Sequence, residues 1–229
     1  MTDQLCIAHR GASGHEPENT LRAIQKALEL GAPWIEVDVH TVAGRILVIH
    51  DDRLERTTDG TGALGNKELK YLRSLDAGKG EQIPFLEEVL DLIGQRAGLI
   101  VELKGPHTAI PVARLLTDRV MEGASHPDQL LVSSFDLLQL RTFRDLAPQI
   151  PVGVLLTRTS LPYLKIAEEL KAHSLHVKLS HLTERLVADA HARGLRVFVF
   201  TVNTEADLAR ACQMGTDAVF TDYPEILLP

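Results

Sequence analysis

Apolar residues along this chain fall into short runs separated by stretches with helical spacing. A first run predicts a strand over 5–8 that ends at His9, Arg10 and Gly11. Asn19 is expected to cap a helix whose apolar positions Leu21, Ile24 and Leu28 recur at helical spacing, with Gly31 as its stop. A second strand starts at Trp34. The chain then turns through Ala43, Gly44 and Arg45 and returns as an apolar run over 46–49, followed by His50. Residues 51–82 are charged and glycine-rich, with Gly60, Gly62, Gly65, Gly78 and Gly80. This stretch reads as a rim excursion in which Asn66 caps a short helix carrying Leu69 and Leu72. A helix is expected over 85–93.

Beyond residue 98 the two periods alternate. Strands are expected over 99–103, 130–134, 151–156, 175–179, 197–202 and 218–221. Helices are expected over 109–121, 137–146, 161–171, 184–193 and 205–214, and the tail has room for one helical turn. Eight parallel-type strands with intervening helices in 229 residues favour an α/β fold of the (β/α)8 type, a TIM-like barrel with a short insertion after the second strand. The expectation is one barrel domain over 1–229, with the rim insertion at about 51–82. In that fold chemistry sits at the C-terminal ends of the strands.

The second strand breaks its own pattern. Alternation puts Ile35, Val37 and Val39 on one face and Glu36, Asp38 and His40 on the other. Carboxylates inside a buried strand are costly unless neutralised. Glu102 and Lys104 repeat the arrangement in the strand over 99–103. Inward residues of neighbouring strands meet inside a barrel, so Glu36, Asp38 and Glu102 should form one cluster. Three oxygens suit a hard divalent cation such as Mg²⁺ or Ca²⁺. The competing reading is a buried ion-pair network with Lys104, Arg10 and Arg45. Convergence of three carboxylates, with two histidines nearby, favours metal.

His9 and His50 both follow strand ends next to this cluster, where histidine serves as a general acid or base near neutral pH. Arg10 and Lys104 place positive charge beside it, which suits a phosphate oxyanion. Each can also pair with the carboxylates.

Composition narrows the field. The net charge is −7 and the basic residues are scattered, so nucleic acid is excluded as an expected partner. No apolar run approaches membrane-spanning length, which argues against stable membrane insertion. Cys6 and Cys212 are far apart and lack metal-ligand spacing. With no leader-like start at the N-terminus, the expected location is the cytoplasm, where thiols stay reduced.

The segments HRGASGHEPENTLRAI, EVDVHTVAGRILVIHDDRLERTTDGTG, IPFLEEVL, VELK, GLRVFVFTVN and AVFTDYP resemble, in order and over nearly the whole chain, the glycerophosphodiester phosphodiesterase family. The resemblance implies a TIM-like barrel and metal-dependent cleavage of glycerophosphodiesters to glycerol 3-phosphate and an alcohol. It implies His9 and His50 as the acid/base pair, Glu36, Asp38 and Glu102 as metal ligands, and Arg10 and Lys104 on the phosphate. Where that family usually has Trp, this chain has Phe200. Phe200 fits a substrate-facing wall or the core. Which histidine is the acid stays open, as does whether the nucleophile is a glycerol hydroxyl or water. A lysophospholipase D-like enzyme and a phosphate-binding barrel without turnover are the competing functions.

Other polar residues receive quieter expectations. His40 reads as a packed or rim histidine, and His15 and His107 as solvated loop residues. His176 and Lys178 share a strand face, with an internal salt bridge expected for the lysine. Asp222 is expected to cap the short tail helix.

Overall fold

The computed structural model describes residues 4–156 and 163–228. Eight parallel strands form a closed ring: β1 (Leu5–Ala8), β2 (Trp34–Val42), β4 (Gly98–Leu103), β5 (Leu130–Ser134), β6 (Val152–Leu156), β7 (Ser174–Lys178), β8 (Arg196–Phe200) and β9 (Ala218–Thr221). Closure comes from β1, which pairs with β9 on one side and with β2 on the other. Each strand is apolar on its outer face because a helix covers it. Helices α1 (Leu21–Glu29), α3 (Leu86–Ile93), α4 (Ala109–Met121), α5 (Leu137–Leu146), α6 (Tyr163–Glu169), α7 (Glu184–His191) and α8 (Glu205–Gln213) form the outer ring. The main core lies between the two rings, where Ile35, Val37, Val101 and Val132 meet helix residues such as Leu86 and Leu116. The expected start of α6 at Leu161 lies outside the described residues.

Inside the barrel, a second apolar cluster of Ile7, Ile100, Leu131, Phe198 and Phe220 forms a floor. Alternation then dictates what comes next along each strand. Two residues beyond Ile7 is His9, and two beyond Ile100 is Glu102. The floor therefore lifts polar residues to the C-terminal mouth.

The second strand runs past the barrel wall. Its outer half, Val39 to Val42, pairs with β3 (Arg45–Val48) as an antiparallel hairpin turned at Ala43 and Gly44, both with positive φ. The hairpin brings the chain back beside β2, where the Ile49 amide donates to the Asp38 carbonyl at 2.9 Å. This return delivers His50 to the mouth, as its position after the apolar run predicts. The rim excursion has its own small core, in which Leu47, Leu54, Leu64, Leu72 and Ile83 are buried. Its short helix α2 (Leu69–Leu72) starts after Glu68, not after Asn66, which sits in a preceding 3-10 turn.

Candidate active site

The acidic cluster is built by register. Pairing of β2 with β4 places Asp38 beside Glu102, and Glu36 sits one inward position below Asp38. One oxygen from each of Glu36, Asp38 and Glu102 lies within 4.8 Å of the others, and all three residues are buried. Burial and repulsion by Asp38 push Glu102 up to about 7. Burial, together with Asp38 and Glu102, pushes Glu36 well above the usual carboxylate range. Asp38 goes the other way: burial opposes ionisation, but Arg10, His50 and Lys104 outweigh it and hold Asp38 ionised.

Arg10 and Lys104 are the cluster's cations. Arg10 Nε lies 3.2 Å from Asp38, and its backbone N–H donates to Glu36 Oε2 at 3.0 Å. That second bond depends on Arg10 adopting φ of 58°, a left-handed conformation sparsely populated by non-glycine residues. Gly11 follows at φ of 80°, and any Cβ there would press within 2.6 Å of the Ala23 backbone. Lys104 Nζ lies 2.8 Å from Glu102 and 3.7 Å from Asp38. Arg45 is not a partner, because it stacks on Phe85 and reaches Glu87 instead. Ion pairing therefore accounts for part of the cluster. It leaves Glu36 Oε1 buried with no hydrogen-bond partner. An orphaned carboxylate oxygen aimed into a convergent oxygen set fits a bound divalent cation.

Two histidines flank the cluster, each held by its own carboxylate. His9 Nδ1 is 2.7 Å from Asp222 Oδ1, and His50 Nδ1 is 2.6 Å from Asp51 Oδ1. Each ring thus directs Nε2 away from its carboxylate, and both residues line a cavity of about 190 Å³ with Arg10, Glu36, Glu102 and Lys104. Part of the lining is an apolar wall: Phe135, Leu155, Phe200 and Phe220. Phe200 meets Phe135 and Phe220 edge to face at 6.2 and 6.4 Å.

A model of the glycerophosphoryl diester phosphodiesterase family matches residues 9–226. The chain belongs to that family. It is 36% identical to a putative glycerophosphodiester phosphodiesterase of Bacillus subtilis, over 97% of this chain and 96% of that protein. It is 34% identical to a glycerophosphodiester phosphodiesterase of Caldanaerobacter subterraneus, over 98% of this chain and 96% of that one. A phosphodiesterase of Oleispira antarctica, solved in complex with the product sn-glycerol-3-phosphate, superposes with a TM-score of 0.89 at 35% identity, covering 98% of this chain and 94% of that one. The chain is an enzyme, a hydrolase of glycerophosphodiesters, and its fold is that of a TIM barrel.

The phosphodiesterase holds several residues in places the sequence did not announce. Asp222 does not cap the tail, whose 3-10 turn starts after Tyr223. It orients His9 and is itself held by Ser13 at 2.9 Å and Asn203 at 2.6 Å. Burial opposes its ionisation, yet His9, Asn203 and Ser13 hold it at about 2. Asn19 does not cap α1; Thr20 does, accepting from the Ala23 amide at 3.2 Å. Asn19 is buried with φ of 58°, donates to Asp38 Oδ2 at 2.9 Å and accepts from the Asp38 amide at 3.1 Å. An Asn just before an apolar helix looks the same in sequence whether it caps the helix or reaches inward. His40 is packed, as expected, with Nε2 3.0 Å from the His50 carbonyl, so it supports the backbone that carries His50. His176 is fully buried in the cavity floor, 2.9 Å from Ser174 Oγ and stacked on Phe198, and burial depresses it to about 3. Lys178 is exposed, which does not fit the internal salt bridge expected for it. His107 and His15 are both exposed, as expected, and His15 also pairs with Glu225 at 2.7 Å.

Proposed function

We propose that this enzyme cleaves glycerophosphodiesters to glycerol 3-phosphate and an alcohol, with His9 and His50 moving the protons and Glu36, Asp38 and Glu102 holding Mg²⁺ or Ca²⁺. The observation that carries the reading is the convergence of two histidines, Glu36 and Glu102 on one cavity, with Asp38 completing the carboxylate cluster beside it. A hard cation bound there would neutralise phosphoryl charge and polarise phosphorus. An all-oxygen donor set suits Mg²⁺ or Ca²⁺ better than a softer metal.

The roles follow from the hydrogen bonds. Lys104 has no lone pair when protonated, so its 3.0 Å contact to His50 Nε2 requires an unprotonated nitrogen there. Burial also favours neutral His50. His50 is therefore kept neutral, and it accepts a proton from the attacking hydroxyl once Lys104 turns from Nε2 to the phosphate. His9 has the Asp222 carboxylate, supported only by the neutral donors Ser13 and Asn203, behind its Nδ1. That pairing orients His9 with Nε2 free to give a proton to the leaving alcohol. Arg10 and Lys104 bind the phosphate oxyanion. Phe200 packs against the carbon part of the substrate within the apolar wall.

One observation supports a second reading. Phe135, on the apolar wall, is 38% exposed. An apolar side to the cavity suits a diester that carries an acyl chain, as a lysophospholipase D would require. An assay for release of the alcohol, choline or ethanolamine, separates the two, because cleavage of a lysolipid leaves acyl-glycerol 3-phosphate instead of glycerol 3-phosphate. It is run on glycerophosphocholine, glycerophosphoethanolamine and a lysophosphatidylcholine, with and without chelator. Release from the first two alone supports the proposal; turnover confined to the lysolipid replaces it.

We also propose one functional unit over 1–229, with the rim insertion at 51–82 as part of its mouth. A reducing, cytoplasmic location agrees with Cys6 and Cys212 being unpaired, and no helix among the described residues is long and apolar enough to cross a membrane.

A further inference from the structure

Arg56 does not line the catalytic cavity, and no reading above gives it a part. It stands on the rim excursion, two residues beyond the fully buried Leu54 that anchors that segment. Its guanidinium grips two carboxylates at once. Nη1 and Nη2 donate to the two oxygens of Glu18 at 2.7 and 2.9 Å. Nε donates to Asp51 Oδ2 at 2.5 Å.

Those carboxylates are not ordinary surface partners. Glu18 Oε1 also accepts from Arg10 Nη1 at 2.8 Å. Asp51 holds His50 Nδ1 through its other oxygen. A continuous chain thus runs from Arg10 through Glu18, Arg56 and Asp51 to His50. Lys104 closes it into a ring, because it contacts both His50 and Asp38, and Asp38 contacts Arg10. Charges alternate in sign around the ring wherever the histidine is neutral.

We propose that Arg56 is a positioning residue, which fixes the phosphate-binding Arg10 and the proton-accepting His50 relative to each other by bridging Glu18 and Asp51. The inference rests on the roles proposed above for Arg10 and His50. A planar fork is required: three N–H groups in fixed geometry reach three oxygens, which the single ammonium of lysine cannot do. Arg56 is half-exposed, so its own contribution to fold stability is small. Its effect is transmitted through the orientation of two side chains that meet the substrate. Supporting groups of this kind typically cost ~10–100-fold in activity when removed.

The test compares R56A, R56K, D51N and R56A/D51N with wild type, measuring kcat, KM and melting temperature at saturating Mg²⁺ with glycerophosphocholine. Three results are expected. R56A and R56K both lose ~10–100-fold in kcat/KM with melting temperatures close to wild type. The double variant loses little more than the worse of R56A and D51N, since both changes cut the same chain. Millimolar guanidinium restores part of the R56A turnover and does nothing for wild type, because the free cation refills the fork. The inference is overturned if R56K keeps wild-type kcat/KM, if losses in the double variant multiply, or if the activity loss in R56A and R56K tracks a matching fall in melting temperature. An H50A control keeps the two questions apart. A fully active H50A removes the role proposed for His50, whereas a dead H50A with a fully active R56A removes only the role of Arg56.

Discussion

Lys104 Nζ lies 3.0 Å from Nε2 of His50. A protonated amine only donates, so the contact holds a neutral imidazole whose Nε2 lone pair accepts from the lysine. The same amine sits 2.8 Å from Glu102. One lysine therefore contacts both His50 and the acidic cluster, and the two contacts can be separated by experiment.

Lys104→Met should lower kcat by at least ~10-fold through loss of the His50 partner and of charge on the phosphate. It should leave cation affinity unchanged or tighter, because a competing positive charge leaves the cluster. Calorimetric titration of Mg²⁺ alongside turnover checks this. Weaker binding with full turnover at saturating Mg²⁺ would place Lys104 in the metal site and not in catalysis.

Asp222→Asn keeps the shape of the His9 support but removes its charge. Turnover should fall ~10²-fold, and the melting temperature at pH 7 should lie below that of wild type because the stabilisation of the ionised carboxylate is lost. The carboxyl is held at about 2 in the folded protein, below its ordinary value. Its stabilisation is therefore complete above the unfolded value near 4 and is lost as pH falls from about 4 to about 2. Wild type should lose its advantage over Asp222→Asn in that acid window. Equal acid sensitivity from pH 5 downward would contradict the pairing.

Asn19→Ala removes both hydrogen bonds to Asp38 and places alanine at a positive φ. A buried polar partner left unmade costs about 1–3 kcal/mol. In a chain of this size that is a fall of roughly 2–10 °C in melting temperature. A shift within 1 °C, read by circular dichroism, would show that Asp38 is held by its cations alone.

Removal of metal should reveal the strain in the cluster. Glu102 holds its proton up to about 7 when no cation is present, so cation binding below that pH must displace a proton. The stabilisation given by Mg²⁺, measured as the melting temperature with Mg²⁺ minus that with chelator, should grow from pH 5 to pH 7. Buried histidines such as His40 and His176 titrate in both samples and cancel in the difference. A difference that is flat with pH, or largest at pH 5, would count against Glu102 as a ligand.

Much of this site was legible in the sequence because its residues break a local rule. Glu36 and Asp38 stand where a buried strand should be apolar, and Glu102 repeats the offence in the strand that proves to be its neighbour. His9 and His50 follow apolar runs, so strand period alone sends them to the mouth. Asp222, Asn19 and Arg56 break no such rule. Each has an ordinary local role open to it, as cap or solvated charge, and its actual partner is set by tertiary closure. Asp222 meets His9 only because β9 closes the barrel against β1. Arg56 meets Glu18 across a fold of the rim excursion whose path no periodicity encodes. The β2–β3 hairpin was visible as a return of the chain, since Gly44 supplies the turn and His50 ends the run.

The account stands or falls on the two histidines. Single-turnover release of glycerol 3-phosphate from glycerophosphocholine at saturating Mg²⁺ should be ~10²–10⁴-fold slower for both His9→Ala and His50→Ala than for wild type, with melting temperature and Mg²⁺ affinity retained. Either variant releasing product at the wild-type rate, or losing Mg²⁺ affinity and stability along with activity, would contradict it.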